Sequence, residues 1–361
     1  MNRKPRPSRR DRTARSRAIT GACWLMAISA GGIGVAAGEE LFVSKPLTPP
    51  GEYTSHIEGP AVNAAGDLFV AGIKMPGAGD DGGAIGRVKS GATTSELFAI
   101  LPKMPNQNGV QGIGNGIRFD GQGRMYVADF KNHLIHVFEP GPTTVRSDYF
   151  VARPNSHGRP VFSQPNDLAI ARDGTLYASD PKGGTGRIWK ITKAANGTGT
   201  GKPMTSSRTM GRTNGLDLSP DNKTLYVSES KVQGTAASVW AYRINGTALV
   251  ADTDPLKEFT EGGDVDGLRV DTDGRIFVAR PEVGQVVILV PPGAVGTAPP
   301  PVATQGKNPS NLTFGGADGR DVFVTQADPA KRFVERFRTD RPGREPCLQT
   351  PAPADCRAIA P

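Results

Sequence analysis

The chain has 361 residues, 37% of them hydrophobic, with 46 glycines and 31 prolines. That is enough apolar material for one sizeable core, and the abundance of turn formers favours an all-β chain over a helical one. Of the net charge of +8, residues 1–37 carry +7 (eight basic side chains and Asp11), which leaves +1 for the remainder; a near-neutral body lacks the basic stripe that a phosphate backbone needs, so nucleic acid is set aside as a partner.

Residues 1–37 read as a signal peptide. A basic start is followed by an uncharged stretch from Ala18 to Ala37 that ends in Val35-Ala36-Ala37, a small-x-small cleavage pattern. Four glycines in that stretch weaken the alternative of an uncleaved membrane anchor. The expectation is an exported protein, periplasmic or secreted, with no stable membrane span after cleavage. Ser8-Arg9-Arg10 offers a faint twin-arginine pattern, because Arg12 stands where an apolar residue is wanted.

Residues 38–338 contain a sixfold repeat. Each unit has a polar residue near a Gly or Pro, an alternating apolar strand, a tight turn, and a second strand with a central aromatic. The aromatics are Phe69, Tyr126, Tyr177, Tyr226, Phe277 and Phe323, spaced by 57, 51, 49, 51 and 46 residues. The polar residues Glu58, Asn115, Asn166, Asn214, Asp266 and Asn311 precede them by 11 or 12 residues. Asp271-Thr272-Asp273-Gly274 and Asp173-Gly174 are hairpin turns of the repeat. Further strands such as Leu134–Phe138 and Gln285–Val290 follow the hairpins. Units of about fifty residues with this content are the size of four-stranded propeller blades, and solenoid coils are shorter. The expected fold is all-β: a six-bladed β-propeller. The Gly/Pro-rich loops Gly77–Gly83 and Pro291–Pro301 are candidate rims. Residues 339–361 form a Pro-rich tail whose Cys347 and Cys356 are expected to pair in an oxidising compartment.

The inner strand of each blade lies nearest the axis, so a residue that opens that strand in every unit points to one small region. Four Asn and two acids stand there, and all can offer a hard oxygen, the ligand type suited to Ca²⁺. Glu58 and Asp266 contribute −2, which matches one divalent cation, and two carboxylates buried together without a cation are costly. The competing account is that Asn-Gly and Asp-Gly are turn dipeptides. The same phase in six units, away from the hairpin turn, favours an axial metal site, expected to hold Ca²⁺ or another divalent cation.

Glu58-Gly59-Pro60, Pro165-Asn166-Asp167-Leu168, Asn214-Gly215-Leu216-Asp217 and Asp266-Gly267-Leu268, as an ordered set over residues 55–330, resemble the family of gluconolactonases and regucalcin (senescence marker protein 30), related to diisopropyl fluorophosphatase and paraoxonase. The resemblance implies Glu58, Asn166, Asn214 and Asp266 as metal ligands, Asn115 and Asn166 as substrate-binding residues, and Asp266 as the catalytic base or nucleophile. The implied activity is metal-dependent hydrolysis of a lactone or related ester; a monomer is expected. Asn132-His133-Leu134 instead looks like an NHL-type repeat, so a non-catalytic binding propeller with a structural ion stays open, as does an organophosphate or aryl-ester hydrolase. None of His56, His133, His136 and His157 is assigned a catalytic role.

Overall fold

The structure, a computed structural model, describes residues 40–75, 83–104, 110–141, 145–151, 162–182, 185–353 and 355–356. The expected signal peptide (residues 1–37), His157 and most of the loop Gly77–Gly83 lie outside the described residues. All described residues belong to one compact unit, Glu39–Pro361.

Among the described residues, six sheets of four or more strands form the blades, and a small hairpin pairs Lys103–Met104 with Val110–Gln111. The inner strands of blades 1 to 6 are Tyr53–Val62, Gly114–Phe119, Leu168–Ile170, Arg212–Leu218, Leu268–Val270 and Pro309–Gly315. Each pairs antiparallel with the strand that carries the repeated aromatic. Ala61 faces Phe69, Arg118 faces Tyr126, Ala169 faces Tyr177, Asp217 faces Tyr226, Arg269 faces Phe277 and Thr313 faces Phe323. The six aromatics are thus structurally equivalent, and all are buried. Their rings fill the gaps between blades. Phe277 of blade 5 meets Phe314 of blade 6 edge-on at 5.0 Å between centroids.

The ring closes through the N-terminal end of the propeller. Lys45–Pro46 adds the outer strand of blade 6, with Lys45 opposite Arg336 and Pro46 opposite Glu335. Ser44 Oγ donates to Glu335 Oε2 at 2.6 Å, and Val334 N donates to Thr48 Oγ1 at 2.9 Å, so side chains flank the short strand. Joining the first and last strands of the propeller in one sheet leaves no blade half-paired.

The last blade strand ends at Arg338, and the tail then runs beneath the central channel, closed by a Cys347–Cys356 disulfide with 5.3 Å between Cα atoms. The loop Pro291–Pro301 is not a rim of the axial cavity. Val295 N donates to Asp273 O at 2.8 Å, which ties the loop to the hairpin turn at the opposite end of the blade. Among the described residues no helix is long and apolar enough to cross a membrane.

Phe277→Ala is expected to destabilise the protein by about 3–5 kcal/mol, since it empties a fully buried contact between two blades. Val295→Ala, at a residue 63% exposed, should stay within about 0.5 kcal/mol of the parent. Urea denaturation at equilibrium measures both.

Candidate active site on the propeller axis

The inner strands converge because the residue after the polar position is usually glycine. A Cβ at Gly59, whose φ is +53°, would collide with the carbonyl oxygen of Asn115 in the next blade. A Cβ at Gly267 would strike the side chain of Asn311. These glycines serve close approach between blades and not the turns that Asn-Gly and Asp-Gly suggest in sequence. Backbone bonds then tie neighbouring blades: Gly116 N donates to Asn166 O at 2.8 Å and Gly267 N to Ser310 O at 2.8 Å.

The loops entering these strands are held by acids from elsewhere in the same blade. In blade 2, Asp129 accepts from Ile113 N at 3.0 Å. In blade 3, Asp180 accepts from Gln164 N at 2.7 Å and from Trp189 Nε1 at 2.9 Å. In blade 4, Glu229 accepts from Gly211 N at 2.7 Å. His136, fully buried with Nε2 3.0 Å from Asp129 Oδ2, belongs to the clamp of blade 2 and lies off the axis. The NHL-like sequence around Asn132 reflects this clamp, in which Asn132 Nδ2 also donates to Asp129 Oδ2 at 2.9 Å.

A cavity of about 330 Å³ opens at this end of the axis, and every blade contributes to its wall. Glu58, Asn115, Asn166 and Asp266 all line it. Asn214 is buried and is not among the lining residues; its Nδ2 donates to Ser230 Oγ at 3.0 Å. The sixth position, Asn311, lies under Glu58. Its Nδ2 donates to Glu58 Oε2 at 3.1 Å, while its Oδ1 accepts from Arg269 Nη2 at 3.2 Å and Leu312 N at 2.9 Å. With its oxygen already taken, Asn311 orients an acid instead of facing the cavity. Arg212, Gln164 and His56 complete the polar wall. Of these, the sequence reading named His56 without a catalytic role and missed Arg212 and Gln164. Each of these two follows directly after a clamped or loop residue, a tertiary relation that no local motif carries.

Glu58 and Asp266 keep some surface open to the cavity and are otherwise enclosed by protein. Burial pushes the Glu58 carboxyl up to about 7 against the opposing hydrogen bond from Asn311. Burial, and next the charge of Glu58, hold Asp266 well above the usual carboxylate range, with Arg212 drawing it down only in small part. Asn115 Oδ1 is a buried acceptor with no hydrogen-bond partner. Two acids that resist joint ionisation, an unsatisfied amide oxygen and further amides make an all-oxygen donor set. Among the described residues there is no cluster of three or more His, Cys, Asp or Glu side chains suited to a metal, so a cation here would depend on the amide oxygens. The donor set fits a hard divalent ion.

A network of ion pairs lies one layer below. Asp167 is held between Arg118 Nη2 at 2.8 Å and Arg269 Nη1 at 2.9 Å, all three fully buried. Burial still raises Asp167 to about 6, with Arg118 opposing.

The raised carboxyls set a pH dependence. A carboxyl whose folded pKa exceeds its unfolded one holds a proton in the native state that the unfolded chain has lost. Protein stripped of divalent ions should therefore be most stable below about pH 4.5 with respect to Glu58, and lose stability as pH rises towards 7. The slope is at most about 1.4 kcal/mol per pH unit for each proton, reduced by water in the cavity. Thermal melts from pH 4 to 8 should show the loss, Glu58→Gln should flatten it, and added Ca²⁺ should reverse it near neutrality.

The family described as SMP-30/Gluconolactonase/LRE-like region matches residues 142–328, just over half of the chain. A gluconolactonase of Zymomonas mobilis subsp. mobilis is 29% identical over 240 residues, which cover 62% of this chain. The chain spans 63% of the length of that relative. A solved gluconolactonase from Xanthomonas campestris superposes with a TM-score of 0.58 at 19% identity, covering 83% of this chain and 89% of the other. Regucalcin from Agrobacterium tumefaciens, a calcium-binding protein, superposes with a TM-score of 0.56 at 15% identity, covering 87% and 100%. At such identities the two structures speak for the fold. The match over residues 142–328, joined to the six-bladed ring, establishes that the chain belongs to the SMP-30/gluconolactonase/LRE-like family.

Proposed function

We propose that the protein is an exported, divalent-metal-dependent hydrolase of lactones or related esters. The observation that carries this reading is the cavity in which Glu58 and Asp266 meet beside unsatisfied amide oxygen. Glu58, Asp266 and Asn166 would hold the ion, with Asn214 as the fourth ligand that the family resemblance implies. Ca²⁺, when bound, supplies Lewis-acid polarisation of the ester carbonyl and neutralises the acid pair.

The chain's own residues account for the rest. Asn115 Oδ1, buried without a donor, is free to accept from a substrate hydroxyl, and Asn166 lines the same wall. Asp266 takes a proton from a water whose oxygen bonds to the carbonyl carbon. As the ring C–O bond breaks, that proton passes to the departing alkoxide. Arg212 is an exposed cation on the cavity wall with no ion-pair partner among the described residues, and it is suited to the carboxylate that ring opening creates. Export is supported by the basic and apolar leader of residues 1–37, and by the Cys347–Cys356 disulfide, which suits an oxidising compartment.

Chelation should abolish hydrolysis of a lactone panel by the mature protein, and Ca²⁺ should restore it. Asp266→Asn, folded and loaded with Ca²⁺, should lose about 10²- to 10⁴-fold in kcat. Arg212→Gln should weaken inhibition by the hydroxy-acid product more than it lowers kcat. One tightly bound Ca²⁺ with no turnover on any lactone or ester would instead support the binding propeller.

A further inference from the structure

The C-terminal tail enters the central channel from the side opposite the cavity. Arg341 Nε donates to Asp273 Oδ2 at 2.7 Å in blade 5. Arg344 N donates to Val270 O at 2.9 Å, and its Nη2 donates to Ile170 O and to Asp217 Oδ1, both at 2.8 Å. Gln349 Nε2 donates to Val62 O at 2.6 Å in blade 1. Gly343 N donates to Gly319 O at 2.9 Å in blade 6. Between these anchors Glu345 is buried, with Oε2 3.4 Å from Arg118 Nε and 3.9 Å from Arg269 Nε.

The charges of this layer balance only with the tail in place. Arg118 and Arg269 share Asp167, which leaves one positive charge over, and Glu345 is the acid placed against it. Asp217 meets Arg344. From Glu345 the chain of contacts runs upward through an ion pair at 3.9 Å to Arg269 Nε, which makes no hydrogen bond, and then through hydrogen bonds from Arg269 Nη2 to Asn311 Oδ1 and from Asn311 Nδ2 to Glu58 Oε2. The amide of Asn311 has one useful orientation because Arg269 and Leu312 N both donate to its oxygen. An Arg269 drawn away from that oxygen would leave Leu312 N as its one remaining donor and loosen the amide's hold on Glu58.

We propose that the disulfide-closed tail is a working part of the axial site, with Glu345 as a positioning residue. It holds Arg269, which fixes Asn311, which aims the Glu58 carboxylate into the cavity. The proposal rests on the metal reading of that cavity, and it makes affinity for the ion depend on residues at the far end of the channel. Reduction of Cys347–Cys356 loosens the tail and weakens the ion's hold in the same direction.

The test measures Ca²⁺ binding by titration calorimetry and the side-chain amide resonances of Asn311, assigned with Asn311→Asp. The proteins are the wild type, Glu345→Gln and the pair Cys347→Ser/Cys356→Ser. The cysteine pair keeps every buried charge and so serves if Glu345→Gln fails to fold. Glu345→Gln should weaken Ca²⁺ binding about tenfold and the cysteine pair about threefold, and both should move the Asn311 resonances with or without Ca²⁺. Val286→Ala, in the core of blade 5, should lower the melting temperature and change neither readout. Wild-type Ca²⁺ affinity in Glu345→Gln, or Asn311 resonances that do not move, overturns the proposal. A wild-type protein that binds no Ca²⁺ removes the metal reading, and the Asn311 resonances alone then decide whether the tail positions Glu58.

Discussion

Glu58 and Asp266 face one small cavity at the axis, and no ion pair to either exists among the described residues. The rest of the architecture follows from this unbalanced pair. Two enclosed carboxylates either share protons or hold a cation, and raised pKa values are the metal-free form of that choice. A ring of six blades can bring such groups together because each inner strand delivers one side chain to the axis. The glycines beside those side chains let the strands come close enough to do so.

The layer beneath shows what the upper one lacks. Three arginines and three acids, Arg118, Arg269 and Arg344 against Asp167, Asp217 and Glu345, neutralise one another inside the protein. Such a network is stable only when complete, because one missing partner strands a buried charge. Completion depends on the tail, which contributes Arg344 and Glu345, and the tail is closed by the disulfide. The axis is thus a graded stack, with acids paired to arginines at its floor and acids without an ion-pair partner among the described residues at its mouth. Asn311 joins the two levels.

The repeat was legible because strand alternation and blade length are local properties. Phe69, Tyr126, Tyr177, Tyr226, Phe277 and Phe323 could be aligned by counting, and the polar positions followed. Four of those six, Glu58, Asn115, Asn166 and Asp266, meet in one cavity. Asn311 looked interchangeable with them, and its different role is set by Arg269, 42 residues away in sequence. The closing strand Lys45–Pro46 has two residues and no periodicity to read. The tail's Arg344 and Glu345 sit among prolines in a segment with no strand pattern. Their partners become visible only once the channel exists.

The most direct measurement is an anomalous difference map from crystals soaked in Tb³⁺ as a heavy stand-in for Ca²⁺. The account predicts one strong peak on the axis, about 2.3–2.6 Å from carboxylate oxygens of both Glu58 and Asp266. An axis without a peak, in a protein whose lactone hydrolysis survives exhaustive chelation, would contradict it.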